Sequence, residues 1–397
     1  MKKWRVLILS TMISFILILA LFTFGVNTQE SEEDLIVGKS VKFYSKIYDN
    51  DIKCSIYLPS DYSSSNSKYP VLYAFQSFFL RNAGIIDQLS PYQIPEMIYV
   101  HLETYNSDDF IPSRIEGRPE SGNADRFISF FKEELISFID SKYRTHPFRI
   151  IHSNSWGGVF CIYTLLTQPD VFNAYIATVP WFIYDGEENF ILKNAETLIK
   201  ERIFENNFLF TVNDNELIPE LQKRYKAFTE ILNNNPKNGL KYQYFFWENE
   251  DHYSAPFKGV YDALKWIFTD WREIPEEVLA GGVEEIKKYS NSLKNIYGYD
   301  IGINQSAVRI FASALMRQEK FNEAIVLLKF NVQNNPDNPF VIESLGRAYE
   351  NSGQLDLAKT TFETALAKAK KISFQDITRF TNHIQRVNQK LKDSVRE

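Results

Sequence analysis

Hydrophobic and polar positions follow two regimes along this chain, changing near residue 275. Between Val41 and Phe268, short apolar runs alternate with longer segments whose apolar residues recur every three to four positions. Tyr69–Phe75 (YPVLYAF) is apolar throughout, as a strand buried on both faces should be. Met97–Leu102, Phe148–His152, Ala174–Thr178, Phe208–Val212 and Tyr242–Trp247 read as further strands. Val41–Tyr48 and Ile52–Leu58 read as a hairpin turning at Asn50-Asp51. Ala124–Tyr143 puts Phe127, Phe130, Phe131, Leu135, Phe138 and Ile139 on one helical stripe. The pattern predicts further helices over Gly157–Leu166, Ile218–Leu232 and Pro256–Phe268. Strands alternating with helices place the region in the α/β class, with a mostly parallel sheet covered on both faces. Ligands on such sheets gather beyond the carboxyl ends of the strands.

From Pro275 onward no strand-like run remains. Pro275 followed by Glu276 and Glu277 suits a helix start, and Pro275–Asn295 is expected to be a linker helix. Beyond it Phe321-Asn322-Glu323-Ala324 recurs, 34 residues later, as Leu355-Asp356-Leu357-Ala358. The same offset pairs Ala312 with Gly346, Leu315 with Tyr349, Leu328 with Phe362 and Val332 with Leu366. This spacing of small and aromatic residues resembles tetratricopeptide repeats, broken at Asn335–Pro339 and closed by a helix over Phe374–Leu391. Such repeats imply either a groove for a protein or peptide partner, or an appendage that packs on its neighbour or mediates dimerisation.

The amino terminus differs from both regimes. Lys2, Lys3 and Arg5 precede an apolar run from Val6 to about Val26, and the polar, acidic stretch Asn27–Asp34 follows it. Basic residues ahead of such a run predict export of the remaining chain, with residues 1–28 as a signal peptide or a signal anchor. The protein is thus expected in the periplasm or another extracytoplasmic space, touching a membrane only through this helix. The rest divides into an α/β domain over 35–273, a helical linker over 274–303 and repeats over 304–397.

Composition excludes several classes. Of 397 residues, 44% are hydrophobic and 15% aromatic, too much core-forming material for a disordered chain. A net charge of −6 argues against a nucleic-acid partner. Cys54 and Cys161 are the only cysteines, too few for a Cys-based zinc site or a disulfide framework.

The sharpest chemical feature is Arg149-Ile150-Ile151-His152-Ser153-Asn154-Ser155-Trp156-Gly157-Gly158. A predicted strand leads through small-x-Ser-x-Gly straight into a helix, the setting of a nucleophile elbow with Ser155 at its tip. Small residues are needed two before and two after the serine because strand and helix approach closely there, and Ser153 occupies the first of these places. A serine nucleophile needs a base and a carboxylate to orient it. Of the five histidines, His252 follows a strand and precedes the last α/β helix, and so is the predicted base. His101, His146, His152 and His383 are not so placed. The acid should fall between Ser155 and His252, and Asp214 and Glu216 both follow strand Phe208–Val212. Glu216 is slightly favoured. Phe78, Phe79, Trp156, Trp181 and Phe182 fall near the predicted mouth and would suit an apolar acyl or aryl group.

Taken together these residues resemble the putative-esterase family of α/β-hydrolases, which includes enterochelin-type siderophore esterases, feruloyl and acetyl-xylan esterases and mycolyltransferases. The likeness runs from about Val41 to Trp271 and rests on Tyr69–Tyr73, Ser121–Phe127, Glu134-Leu135, Tyr143–Thr145 and Asp251–Ser254. It implies a Ser–His–acid triad of Ser155, His252 and Glu216 or Asp214, acting on a small ester without a cofactor. The alternatives it leaves are acyl transfer and a catalytically silent scaffold. Two departures stand out. The elbow glycine is Ser153, and Gln76-Ser77 replaces an Asp-Gly or His-Gly pair after the first parallel strand. By the same resemblance Phe78 and Trp156 would donate the two oxyanion amides.

Overall fold

Among the described residues, eight strands form one mixed sheet: β1 (Lys39–Ser45), β2 (Asn50–Tyr57), β3 (Tyr69–Ala74), β4 (Ile98–Leu102), β5 (Thr145–Asn154), β6 (Ala174–Thr178), β7 (Phe208–Asn213) and β8 (Lys241–Phe246). Their spatial order is β1-β2-β4-β3-β5-β6-β7-β8. β1 and β2 pair antiparallel, β2 pairs antiparallel with β4, and β3 to β8 run parallel. The computed structural model describes residues 36–63, 65–184, 190–204, 207–214, 218–235, 239–371 and 376–394. From Val37 onward these form one compact unit. The predicted signal or anchor segment, residues 1–28, lies outside the described residues. Among the described residues no helix is long and apolar enough to cross a membrane.

The central parallel strands β3, β4, β6 and β7 and the second half of β5 bury both faces, which is why they read as apolar runs, whereas β8 at the edge is only partly covered. Val71, Tyr73 and Phe75 enter one core with Phe127, Phe131 and Phe160. The alternate residues Leu72 and Ala74 enter the other core with Ile86, Leu264 and Ile267. The helices covering them are α1 (Phe79–Leu89), α2 (Ala124–Ser129) and α3 (Ile136–Lys142) with a π-helical turn over Phe130–Leu135 between them, α4 (Trp156–Thr167), α5 (Phe190–Glu201), α6 (Pro219–Asn234) and α7 (Ala255–Ile267). Two of these, α1 and α5, were not anticipated from the sequence. The hairpin also differs: its turn lies at residues 46–49, with Asp49 in the left-handed region (φ 51°), and Asn50-Asp51 already begin β2.

The tail continues as α8 (Thr269–Arg272), α9 (Glu276–Ala280), α10 (Gly282–Tyr297), α11 (Gln305–Arg317), α12 (Phe321–Asn334), α13 (Pro339–Asn351), α14 (Leu355–Lys371) and α15 (Thr378–Ser394). The expected single linker helix is broken at Gly281 and Gly282, the latter at φ 78°. Tyr297 and Tyr299 tie the tail to the sheet by packing against Phe148 at ring distances of 5.6 and 5.8 Å. The 34-residue offset is visible in the helices. Asn304 and Asn338 cap α11 and α13 in the same way, each side chain accepting two backbone N–H groups. A Cβ on Gly346 would lie 2.7 Å from the Phe362 ring, so α13 and α14 need a small residue there.

Candidate active site

Since β3 to β8 run parallel, their carboxyl ends share one edge of the sheet, and Ser155, Asp214 and His252 follow strands at that edge. Ser155 follows β5 directly, at φ 56° and ψ −123°, and caps α4. This left-handed conformation is unfavourable for a residue with a Cβ and persists only where the surroundings impose it. They do so by hydrogen bonds. The Ser155 N–H donates to Thr178 O of β6 (3.1 Å), while the Ser155 carbonyl accepts from Gly158 N–H (3.1 Å) and Trp181 N–H (3.1 Å). A Cβ on Gly157 would meet Ser153 Oγ at 1.9 Å, so the second small position of the elbow is obligatory.

His252 lies six residues beyond β8. Its ring centroid is 5.7 Å from that of Trp181, the residue whose N–H holds the Ser155 carbonyl. The elbow, Trp181 and His252 therefore form one contiguous group. Asp214 immediately follows β7, is fully buried, and places Oδ2 3.8 Å from His252 Nδ1. That is an ion-pair distance, longer than a hydrogen bond; catalytic contacts often shorten only when substrate binds. Glu216, the slightly favoured acid, lies outside the described residues.

The remaining histidines sit elsewhere. His152 is fully buried in β5, its Nδ1 3.2 Å from Ile176 O, and burial lowers its pKa to about 3. His101, in β4, is held below the usual histidine range by burial. His146 packs on Tyr299, and His383 bonds Glu343 in the helical tail.

Phe78 precedes α1 with its side chain 66% exposed, and its carbonyl accepts Asn82 N–H at 3.2 Å. The aromatic set named for the mouth separates on inspection. Trp181 packs on His252, but Phe182 is buried core against Phe228, and Phe79 stacks on Tyr99. Two residues that pattern reasoning missed belong at the site. The Arg118 guanidinium lies 4.3 Å over the Trp156 ring and pairs with Asp108 at 2.8 Å. Gln76 adopts φ 48° and accepts the Gly157 N–H through its side-chain oxygen at 3.0 Å. Neither carries a periodic or motif signal; only the unusual Gln76-Ser77 pair pointed toward the second.

A cavity of about 820 Å³ opens elsewhere, between loops at the amino ends of β3 and β4 (Asp61, Tyr92, Glu96) and the helical tail (Arg309, Asn335, Phe340). It is far from the carboxyl edge where Ser155 lies. Among the described residues no cluster of metal-ligating side chains occurs.

An IroE-like serine hydrolase from Shewanella oneidensis superposes with a TM-score of 0.66 at 22% identity, over 75% of this chain and 99% of that one. The fold is α/β-hydrolase-like. An uncharacterised protein from Capnocytophaga ochracea aligns with a TM-score of 0.60 at 16% identity, over 89% of this chain and 99% of its own. That share extends the likeness of this hydrolase-like fold into the carboxyl-terminal helices. Residues 45–208 match the family model described as Putative esterase. Ferri-bacillibactin esterase BesA from Bacillus subtilis is 30% identical over 160 residues, 36% of this chain and 52% of that protein. The chain thus spans about half the length of that curated relative.

Proposed function

We propose that this chain is an exported serine carboxylic-ester hydrolase working through an acyl-enzyme on Ser155. The observation that carries the reading is the left-handed Ser155 backbone between β5 and α4, which projects a side chain above the carboxyl edge of the sheet. Ser155 Oγ attacks the ester carbonyl and its proton passes to His252. Asp214 orients the imidazole and stabilises the imidazolium that forms. The amides of Trp156 and Phe78 receive the oxyanion. Trp156 opens α4, where N–H groups lack intrahelical partners and the helix dipole favours negative charge. When the ester C–O bond breaks, the alcohol leaves with the proton from His252. Water, giving a proton to His252, then attacks the acyl carbonyl, releases the acid and restores Ser155. No cofactor enters the scheme.

Asp214 is preferred over Glu216 as the acid because it is buried and faces Nδ1. The activity named for the Bacillus subtilis relative favours a siderophore-type ester over a carbohydrate acyl or simple aryl ester. Transfer of the acyl group to an alcohol would use the same residues. The basic and then apolar amino terminus supports export, with residues 1–28 as signal or anchor. The paired helices at 34-residue spacing support tetratricopeptide-like repeats that would hold a protein or peptide partner. The test is hydrolysis of a panel of catecholate-siderophore, feruloyl and p-nitrophenyl esters by wild type and Ser155→Ala. Turnover lost by at least about 10³-fold in the variant is expected. Undiminished turnover would overturn the reading.

A further inference from the structure

The two departures from the esterase pattern, Ser153 and Gln76, meet across one seam. β3 leaves the sheet at Ala74, and the elbow lies beside it on β5. Ser153 Oγ, fully buried, donates to Phe75 O at 2.9 Å. One residue on, Gln76 turns into the left-handed region (φ 48°) and its Oε1 accepts Gly157 N–H at 3.0 Å. Each bond runs from one side of the seam to the other, so the exit of β3 is stitched once to the end of β5 and once to the first turn of α4. Ser77, which takes the place of the pattern's glycine, is not in the left-handed region; that conformation falls on Gln76. The Ser77 hydroxyl faces His101 Nδ1 (3.4 Å) and Asn82 Nδ2 (3.5 Å), on the far side of the loop.

The seam matters because the two proposed oxyanion amides sit on its opposite sides. Trp156 belongs to α4, and Phe78 follows Gln76 by two residues. An oxyanion hole works only if both donors lie near 2.7–3.1 Å from the place the charge will occupy. Whatever fixes the loop against the helix start therefore fixes the hole. The first amides of a helix have no partner within it, so Gly157 N–H needs an external acceptor. A neutral side-chain carbonyl meets that need without placing negative charge beside the developing oxyanion.

Building on the esterase reading, we infer that Gln76 is a positioning residue for ester hydrolysis, its side-chain carbonyl on the Gly157 amide setting the separation of the Trp156 and Phe78 donors. Two variants test this, each compared with wild type for kcat, KM, pH profile and melting temperature on one p-nitrophenyl ester. Gln76→Ala removes the clasp and is expected to lower kcat about 10- to 100-fold, less than the loss of a whole donor, with KM changed by less than about threefold. Gln76→Glu keeps an acceptor of the same reach but adds a charge when ionised. Its kcat relative to wild type is expected to be near one at about pH 3.5, below the ordinary glutamate range, and to fall at least about tenfold by about pH 7. A purely structural role would lower the melting temperature and leave that ratio flat across pH. Wild-type kcat in Gln76→Ala, or a pH-independent ratio in Gln76→Glu, overturns the assignment while the esterase reading stands. A wild-type protein that neither hydrolyses any ester nor reacts with a fluorophosphonate overturns both.

Discussion

Gly157→Ala probes the crowding from which the elbow is built. The added Cβ would sit 1.9 Å from Ser153 Oγ, 2.7 Å from Ser153 Cβ and 2.9 Å from the Phe75 ring. Ser153 Oγ could rotate away only by giving up its bond to Phe75 O, and its Cβ cannot move without the β5 backbone. Overpacking of this kind costs about 1–3 kcal/mol, and the broken buried hydrogen bond adds about 1 kcal/mol. The expected destabilisation is therefore about 2–4 kcal/mol, accompanied by a fall in kcat as Ser155 and the Trp156 amide shift. Ser153→Gly removes both serine contacts. The double variant should recover at least about 1 kcal/mol relative to the sum of the single losses, a coupling within the range found for residues in contact. The assay is urea unfolding with fitted m-values, repeated for both single variants and the double variant, alongside ester hydrolysis. A Gly157→Ala protein within about 0.5 kcal/mol of wild type, or additive losses with no rescue, would refute the reasoning.

Asp214→Asn should reduce kcat by about 10³- to 10⁴-fold with little change in KM, whereas Glu216→Gln should stay within about threefold; steady-state kinetics of both decide which carboxylate orients His252. In the tail, Glu350 is buried between Arg386 (2.6 Å) and Lys390 (2.8 Å), and the bond from Arg386 holds its carboxyl down to about 2. Because the folded value lies below the unfolded one, this contribution to stability is complete above about pH 4.5 and drains away as pH falls toward 2. Thermal melts across that window should show the loss in wild type and a shallower dependence in Glu350→Gln.

The central parallel strands were legible because burial on both faces leaves no polar alternation to confuse the reading. The helix α5 carried a usable signal, Ile191, Ala195 and Ile199 at four-residue spacing, all buried. α1 carried a blurred one: Ala83, Ile85, Ile86 and Leu89 are buried, but at its amino end Phe78 and Leu80 point to solvent, Asn82 is buried and Gly84 interrupts. The hairpin turn was misplaced because Asn50-Asp51 has turn composition, while the left-handed residue is Asp49. At the site, the strand–Ser155–helix turn and the place of His252 after β8 followed from local pattern and chain order. The choice between Asp214 and Glu216 did not, since both follow the same strand in the chain and nothing in the pattern marks Asp214 as buried. Gln76 stood out only as a departure from the pattern, and its contact could not be read because the partner amide is 81 residues away.

The most direct measurement is the site of covalent capture. The full chain would be treated with a fluorophosphonate, digested and mapped by tandem mass spectrometry, with His252→Ala in parallel. A single stoichiometric adduct on the Ser155 peptide, formed far more slowly in His252→Ala, is the expected result. An adduct on another residue, or an unmodified folded protein, would contradict the assignment of acyl chemistry to this hydroxyl.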